Sequence, residues 1–328
     1  MFGKCKFKMT KAKLSRSGRL RRAPRIGDFF LLDKLGDGFS GSVYLAKSAK
    51  SGETVAVKIP TMDPNRAEDP KILELIGQEF FVLSQLEHPN IIKPVDFKKR
   101  AELVDPKGNS KAKVPFLAIE AATKGEFCEL LVETGRLPQE AALFYFRQLL
   151  SVLEYLHSKG LAHRDIKPEN MLLDENLDLK VIDFAFACPM STERVTRMGT
   201  ESYFPPEAFV SPNFDLRKAD FFAAGVVLFI MLTGIPPFSD SKPSDPHFRL
   251  FSSNPELFWQ YQKKIDPSCD FSQSLKSLVQ GLLEQDPFKR WGTQEIAANE
   301  WFNVPVNEQR VKEHMKRVTF RLKEIKKV

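Results

Sequence analysis

His163-Arg164-Asp165-Ile166-Lys167-Pro168-Glu169-Asn170, followed thirteen residues after Asn170 by Asp183-Phe184-Ala185, is the stretch on which the reading of this chain turns. Phosphoryl transfer needs a carboxylate to orient and deprotonate an attacking hydroxyl. It also needs oxygen ligands for a divalent cation and positive charge where phosphate charge develops. Asp165 is the candidate base and Lys167 the cation. Asn170 and Asp183 are hard oxygen donors of the kind Mg2+ accepts, a metal that takes few protein carboxylates and completes its shell with water or phosphate. An isolated Asp-rich loop is ordinarily a solvated turn, but eight residues in one such pattern are not expected by chance.

Upstream, Gly36-Asp37-Gly38-Phe39-Ser40-Gly41-Ser42-Val43 has three readings: a dinucleotide fingerprint, a phosphate-covering loop, or a plain hairpin turn. A dinucleotide fingerprint opens a helix. Here Val43-Tyr44-Leu45-Ala46 reads as another strand, and a glycine hairpin between strands lets backbone N–H groups approach phosphates. Seventeen residues past Gly41, Val55-Ala56-Val57-Lys58 puts a lysine in an apolar strand. Such a lysine either snorkels to water or needs a carboxylate partner. Glu79 in the following helical stretch is the natural partner, and Glu74 is its rival.

The wider pattern runs from strands to helices. Residues 29–59 read as strands, 71–87 as a helix, and 91–97 and 114–120 as strands flanking an exposed Lys-rich loop at 98–113. After Pro138, Gln139–His157 is a strong amphipathic helix. More helices are expected near 220–233, 254–263, 272–284 and 293–299, with a short strand-rich connection at 171–183. This is an α+β arrangement, a small sheet lobe with a larger helical lobe.

These motifs together resemble a eukaryotic protein kinase catalytic domain over about residues 29–302. The ordered set is Gly36-x-Gly38-x-x-Gly41-x-Val43, Val55-Ala56-Val57-Lys58, Glu79 and His163-Arg164-Asp165, then Gly199-Thr200-x-x-Tyr203 and Pro205-Pro206-Glu207. The resemblance implies a bilobal fold with an antiparallel-sheet small lobe at about 28–119, a hinge at about 120–126 and a mainly helical large lobe at about 127–302. It implies ATP in the cleft and Mg2+ held by Asn170 and Asp183. Lys58 would grip the phosphates and pair with Glu79, while Asp165 orients the substrate hydroxyl. Leu35, Gly36, Asp37, Gly38, Phe39, Gly41, Val43, Ala56 and Leu172 would surround the nucleotide, with Ile119 behind the adenine. Glu120 and Ala122 would offer hinge backbone groups, and Glu126 could reach the ribose. Arg290 would pair with Glu207.

Lys167 and Thr200 resemble the serine/threonine type, and the core is most similar to the calcium/calmodulin-dependent group. Glu126 and Glu169 would favour basic residues upstream of the target hydroxyl. Arg164 could be neutralised by phosphate on Thr192 or Thr196, with Ser191 a weaker site. The sequence departs from the family at Ala185, where glycine is usual, and at Pro205, where alanine is usual. An alanine there is cheap only if its φ is negative. The rival class is a pseudokinase, a nucleotide-binding scaffold without transfer. The retained Lys58, Glu79, Asp165, Asn170 and Asp183 speak against it.

The net charge of +7 is unevenly spread over the 328 residues. Residues 1–25 carry ten Lys/Arg and no acid, and residues 310–328 carry a net +6, which leaves the body at −9. An acidic body with basic ends is not a basic nucleic-acid-binding fold, and no basic platform interleaved with aromatics is present. Residues 1–27 have no apolar period and are expected to be disordered alone. They lack a secretory apolar core and faintly resemble a transit peptide, and any solvated basic tail looks the same. Residues 303–328 are expected to form a basic amphipathic helix. Val311, Met315, Val318, Leu322 and Ile325 make one stripe, which either docks on the large lobe or serves as a calmodulin target. The four cysteines are scattered without C-x-x-C, which fits a reducing compartment, cytoplasmic or nuclear. The longest apolar run, Phe221–Leu232, is too short for a membrane span, which needs about 20 residues.

Overall fold

A computed structural model describes residues 23–38, 41–60, 70–192 and 198–325, with the side chains of 71–73 and 320–325 excepted. Phe39, Thr196 and residues 1–22 therefore lie outside the described residues. The chain divides into two compact units: Met1–Glu126 with Leu172–Glu175 and Lys180–Ala185, and the remainder.

The smaller unit is an antiparallel sheet. Its strands are β1 (Arg25–Ile26), β2 (Phe29–Asp37), β3 (Ser42–Ser48), β4 (Thr54–Ile59), β5 (Pro94–Val104) and β6 (Ser110–Glu120), with helix α1 (Pro70–Leu83) between β4 and β5. The order across the main sheet is β2–β3–β4–β6–β5, and the two-residue β1 clips β2 to β5. The first described strand starts at Arg25, before the expected start near Asp28, and its Ile26 is fully buried. Period-2 alternation in β4 sends Val55, Val57 and Ile59 into one core with Phe29, Leu31 and Phe116, and turns Ala56 and Lys58 to the other face.

The expected loop at 98–113 is not a loop: β5 and β6 run through it to a turn at 105–109. Ala101, Leu103 and Val114 alternate inward while Lys99, Arg100 and Lys113 point to solvent. The solvent-side charges disguised a half-buried hairpin. Asp105 ties the turn by accepting from the backbone N–H groups of Lys107 and Asn109 at 2.8 and 2.9 Å.

The larger unit is helical. Helix α2 (Phe127–Thr134) and helix α3 (Gln139–Ser158) precede the short strand β8 (Leu161–Ala162). After the catalytic-loop residues come β9 (Met171–Leu173) and β10 (Leu179–Val181), parts of which belong to the smaller unit. Helix α4 (Glu207–Val210) leads to α5 (Leu216–Thr233), buried from Asp220 to Leu232. Asp215 caps α5 by accepting from the N–H groups of Arg217 and Lys218, and Gly234 ends it in the left-handed region at φ 78°. Helices α6 (Pro246–Ser253), α7 (Pro255–Ile265), α8 (Gln273–Leu282) and α9 (Thr293–Ala297) follow.

Helix α10 (Glu308–Ile325) closes the chain. Val311 and Met315 are buried where α10 meets α2 and α3, and Lys312 Nζ lies 2.8 Å from Asp178. Arg310 pairs with Glu140, whose other oxygen accepts from the Asn307 N–H at 2.9 Å. The first half of the expected stripe thus docks within the chain. No described helix is long and apolar enough to cross a membrane.

Candidate active site

In the smaller unit, register brings the expected nucleotide-facing residues together. Val43 lies opposite Lys58, Leu45 opposite Ala56, and Ala56 opposite Ile119. Leu35, Gly36 and Asp37 end β2, and the Gly38 N–H donates to the Gly41 carbonyl at 2.7 Å, closing the hairpin. A Cβ on Gly41 would stand 2.0 Å from the Ile59 carbonyl oxygen, so only glycine fits there. Asp37 is a staple of this hairpin. Lys34 lies 2.7 Å away, the Ser42 hydroxyl donates to it at 2.7 Å, and these two hold its carboxyl below the usual value.

Lys58 is the centre of the charged cluster in this unit. Its Nζ is 2.6 Å from Glu79 and 3.4 Å from Asp183, and Glu79 is 3% exposed. The rival Glu74 is exposed and takes no part. Burial opposes the Lys58 charge, but Asp183 and Glu79 outweigh it and hold the ammonium protonated, its pKa raised. Burial pushes Glu79 upward. Lys58 is thus shared by a buried carboxylate, Glu79, and a half-buried one, Asp183. Asp183 itself sits at φ 66°, in the left-handed region. Ala185 does not: it lies in the 3-10 turn Phe184–Phe186 and is absent from the positive-φ residues Arg164, Leu177 and Asp183. The condition for a cheap alanine is met.

The expected hinge residues continue from β6. Glu120 donates its N–H to the Lys93 carbonyl at 2.9 Å, and its Oε1 accepts from the Lys93 N–H at 3.2 Å. Lys180 Nζ is 3.0 Å from the same oxygen. Ala122 is half-buried, and Glu126, fully within the fold, pairs with Leu172 between β7 (Gly125–Glu126) and β9.

In the larger unit, Asp165 is 4% exposed and surrounded by its own chain. Asn170 Nδ2 donates to its Oδ2 and its carbonyl, both at 2.8 Å. Lys167 Nζ lies 2.6 Å from Oδ2, and the Thr200 hydroxyl donates to Oδ1 at 2.9 Å. Lys167 also donates to Thr200. Gly199 adopts φ 118°, and a Cβ there would meet the Arg164 carbonyl at 2.6 Å.

The loop backbone hangs on Asp220, which precedes the apolar run Phe221–Leu232. Asp220 accepts from the N–H groups of His163 and Arg164, both at 2.9 Å, and sits 3.0 Å from His157 Nε2. Burial works against the Asp220 charge, yet His157 and these donors hold its carboxyl low. Arg164 takes φ 71° here and donates to the Phe186 carbonyl at 3.3 Å. Glu169 is buried beside the Tyr203 hydroxyl, which burial above all pushes up. Thr192 is exposed, its hydroxyl donating to the Pro189 carbonyl. Arg290 forks onto Glu207 at 2.5 and 2.8 Å, as the family resemblance implied.

Sequence reasoning missed His157 and Lys180. Lys180 carried the signal that singled out Lys58, a charged residue inside an apolar strand run. His157 carried none beyond its place at the end of a long helix.

Among the described residues, no group of three or more His, Cys, Asp or Glu forms a metal cage. Asp183 in the smaller unit and Asn170 in the larger are each oxygen donors of the hard kind that a divalent cation bound to phosphate accepts.

The family model for the protein kinase domain matches residues 29–302. The chain is 32% identical over 294 residues to CBL-interacting protein kinase 11 of Oryza sativa subsp. japonica, covering 87% of this chain and 53% of that protein. It is 31% identical over 300 residues to CBL-interacting serine/threonine-protein kinase 9 of Arabidopsis thaliana, covering 87% of this chain and 61% of the relative. The chain therefore spans between about half and three-fifths of the length of these curated relatives.

Proposed function

The chain belongs to the protein kinase domain family, and we propose that it transfers the ATP γ-phosphate to serine or threonine hydroxyls of protein substrates. The observation that carries this reading is the buried Asp165 carboxylate, fixed by Asn170, Lys167 and Thr200. Asp165 orients the attacking hydroxyl and accepts its proton, a role that requires a carboxylate at a set position. Lys167, bridging Asp165 and Thr200, offers positive charge to the transferring phosphoryl. Lys58 binds the α/β-phosphates and is kept in place by Glu79. The Gly38–Gly41 hairpin covers the phosphates with backbone. Residues 120–126 serve as the hinge, and Val43, Ala56, Ile119 and Leu172 enclose the adenine.

Mg2+ would be held by Asp183 and Asn170, where it neutralises phosphate charge. The half-buried Asp183 carboxylate, 3.4 Å from Lys58, is the support for a cation there. A pseudokinase would be expected to lack one of these groups, and none is missing. The test is phosphate incorporation into basic peptides by wild type and by Asp165→Asn. Loss in the variant supports the reading, and no incorporation by wild type at saturating Mg-ATP removes it.

The finer readings follow from the same residues. The core stands nearest the calcium/calmodulin-dependent group. Glu126 and Glu169, both buried carboxylates, support a preference for Arg or Lys upstream of the target, which a peptide array without such a bias would refute. Phosphate on Thr192 or Thr196 is proposed to order the segment after Arg164. Full activity of the dephosphorylated Thr192→Ala/Thr196→Ala protein would end that proposal. The C-terminal helix is read as an intramolecular brace, because Val311 and Met315 are already buried. The names of the relatives make a CBL protein the partner to try before calmodulin.

A further inference from the structure

We propose that Lys180 is a positioning residue for the nucleotide: its ion pair with Glu120 fixes the proposed hinge relative to the strand that carries Asp183. The proposal rests on the kinase reading above, in which Glu120 and Ala122 present backbone groups to the adenine.

Strand β10 runs Leu179-Lys180-Val181, and Asp183 follows two residues later. The segment 90–93 lies against this strand. The Val181 N–H donates to the Asn90 carbonyl at 2.8 Å, and the Ile92 N–H donates to the Val181 carbonyl at 3.1 Å. The other end of that segment is bonded to Glu120 through both backbone and side chain of the Lys93–Glu120 pair. Lys180 spans the two. Its stem is buried, at 8% exposure, and its Nζ reaches Glu120 Oε1 at 3.0 Å, on the oxygen that also accepts from Lys93. Three elements thus converge on one carboxylate oxygen: the end of β6, the 90–93 segment, and β10.

An apolar residue would be the cheaper occupant of this position if only stability mattered. Taking an ammonium out of water costs several kcal/mol, and a buried pair often stabilises no more than an apolar replacement does. Here Lys180 is buried and Glu120 is one-third exposed, so the pair contributes chiefly through geometry, since it accepts one arrangement of the partners. His88 makes the arrangement tolerable. Burial first, and the Lys180 charge second, hold its imidazole below the ordinary value and therefore neutral at pH 7. Its Nδ1 accepts from the Asn90 N–H at 3.1 Å, on the same segment. The end of β6 at Glu120, where the proposed hinge begins, is thereby held from the side by Lys180 and Lys93.

The test compares wild type, Lys180→Met, Lys180→Arg, Glu120→Gln and the Lys180→Met/Glu120→Gln double variant, all as the full chain. KM for ATP, kcat, KM for peptide and the melting temperature are measured for each. Lys180→Met is expected to raise KM for ATP about tenfold, with kcat and peptide KM within about twofold, the scale of coupling that contacting residues show. Lys180→Arg should restore most of the affinity. Glu120→Gln should match Lys180→Met, and the double variant should add little. If Lys180→Met fails to fold, Glu120→Gln carries the test, because Glu120 is one-third exposed. Wild-type KM for ATP in both single variants overturns the proposal. So does a loss confined to melting temperature, which would mark the pair as a structural staple. A wild-type protein that does not bind ATP defeats the kinase reading, and this proposal with it.

Discussion

Residues 163–170 and residues 308–325 both belong to the larger unit, and they are held there by different chemistry. The first stretch is polar and buried: His163, Asp165, Lys167, Glu169 and Asn170 are all nearly inaccessible, and Asp165 alone meets three side chains. The second is a charged helix that docks through Val311 and Met315, with Arg310 and Lys312 adding ion pairs at its rim. A buried polar group is positioned by every partner it has and is costly to orphan. An apolar contact tolerates any side chain of similar size. Changes in the first kind of region should therefore damage chemistry or folding sharply, and changes in the second should cost stability alone.

The largest effect is expected on the polar side. Lys58→Met leaves Glu79 and Asp183 without their common cation and removes the phosphate grip. We expect kcat/KM to fall by about 100- to 1000-fold, the scale of losing one preorganised electrostatic donor. Steady-state kinetics against ATP check this, and a fall below tenfold would break the contrast.

Asp220→Ala comes next. It strips the acceptor from the His163 and Arg164 N–H groups and from His157 in one step. About 3 kcal/mol of stability should be lost, since orphaned buried polar groups cost about 1–3 kcal/mol each. Urea midpoints measure it, and activity should fall with the loosened loop.

On the apolar side, Met315→Ala should cost about 2 kcal/mol, the lower end for a buried methionine truncated to alanine. It should leave kcat unchanged. A drop in kcat equal to that of Asp220→Ala would mean that the helix is wired to the chemistry.

The smallest expected effect lies in the β5–β6 turn. Backbone donation from Asn109 comes first among the contacts that lower the Asp105 carboxyl, to about 2. A depressed carboxylate contributes stability above its ordinary value of 3.8, and that contribution is lost as pH falls toward 2. Asp105→Asn should flatten the acid limb of the unfolding curve between about pH 4 and pH 2, and an unchanged limb would show that the turn carries no linkage.

The same contrast explains what the sequence made legible. Polar motifs of the site are short and specific, so Lys58, Asp165, Asn170 and Asp183 could be named before any coordinates, and the resemblance to the kinase family added the Glu207–Arg290 pair. Long helices such as Gln139–Ser158 announced themselves by their period. The β5–β6 hairpin did not, because lysines on its solvent face read as loop. The C-terminal helix begins at Glu308, later than the expected 303, because Asn307 accepts from the Arg310 N–H at 3.0 Å and caps the first turn. Lys180 carried a local signal, a lysine in an apolar strand run, but its partner Glu120, sixty residues away, carried none that pointed back to it. Ala185 could only be weighed once its backbone was known.

The most direct test of the central claim is phosphate transfer from Mg-ATP to a degenerate library of basic peptides by wild type and by Asp165→Asn. Asn at 165 keeps the shape and removes the base. The account predicts serine and threonine phosphorylation by wild type and a loss of at least about 100-fold in the variant, with ATP affinity retained. Equal transfer by both proteins, or none by wild type, would contradict it.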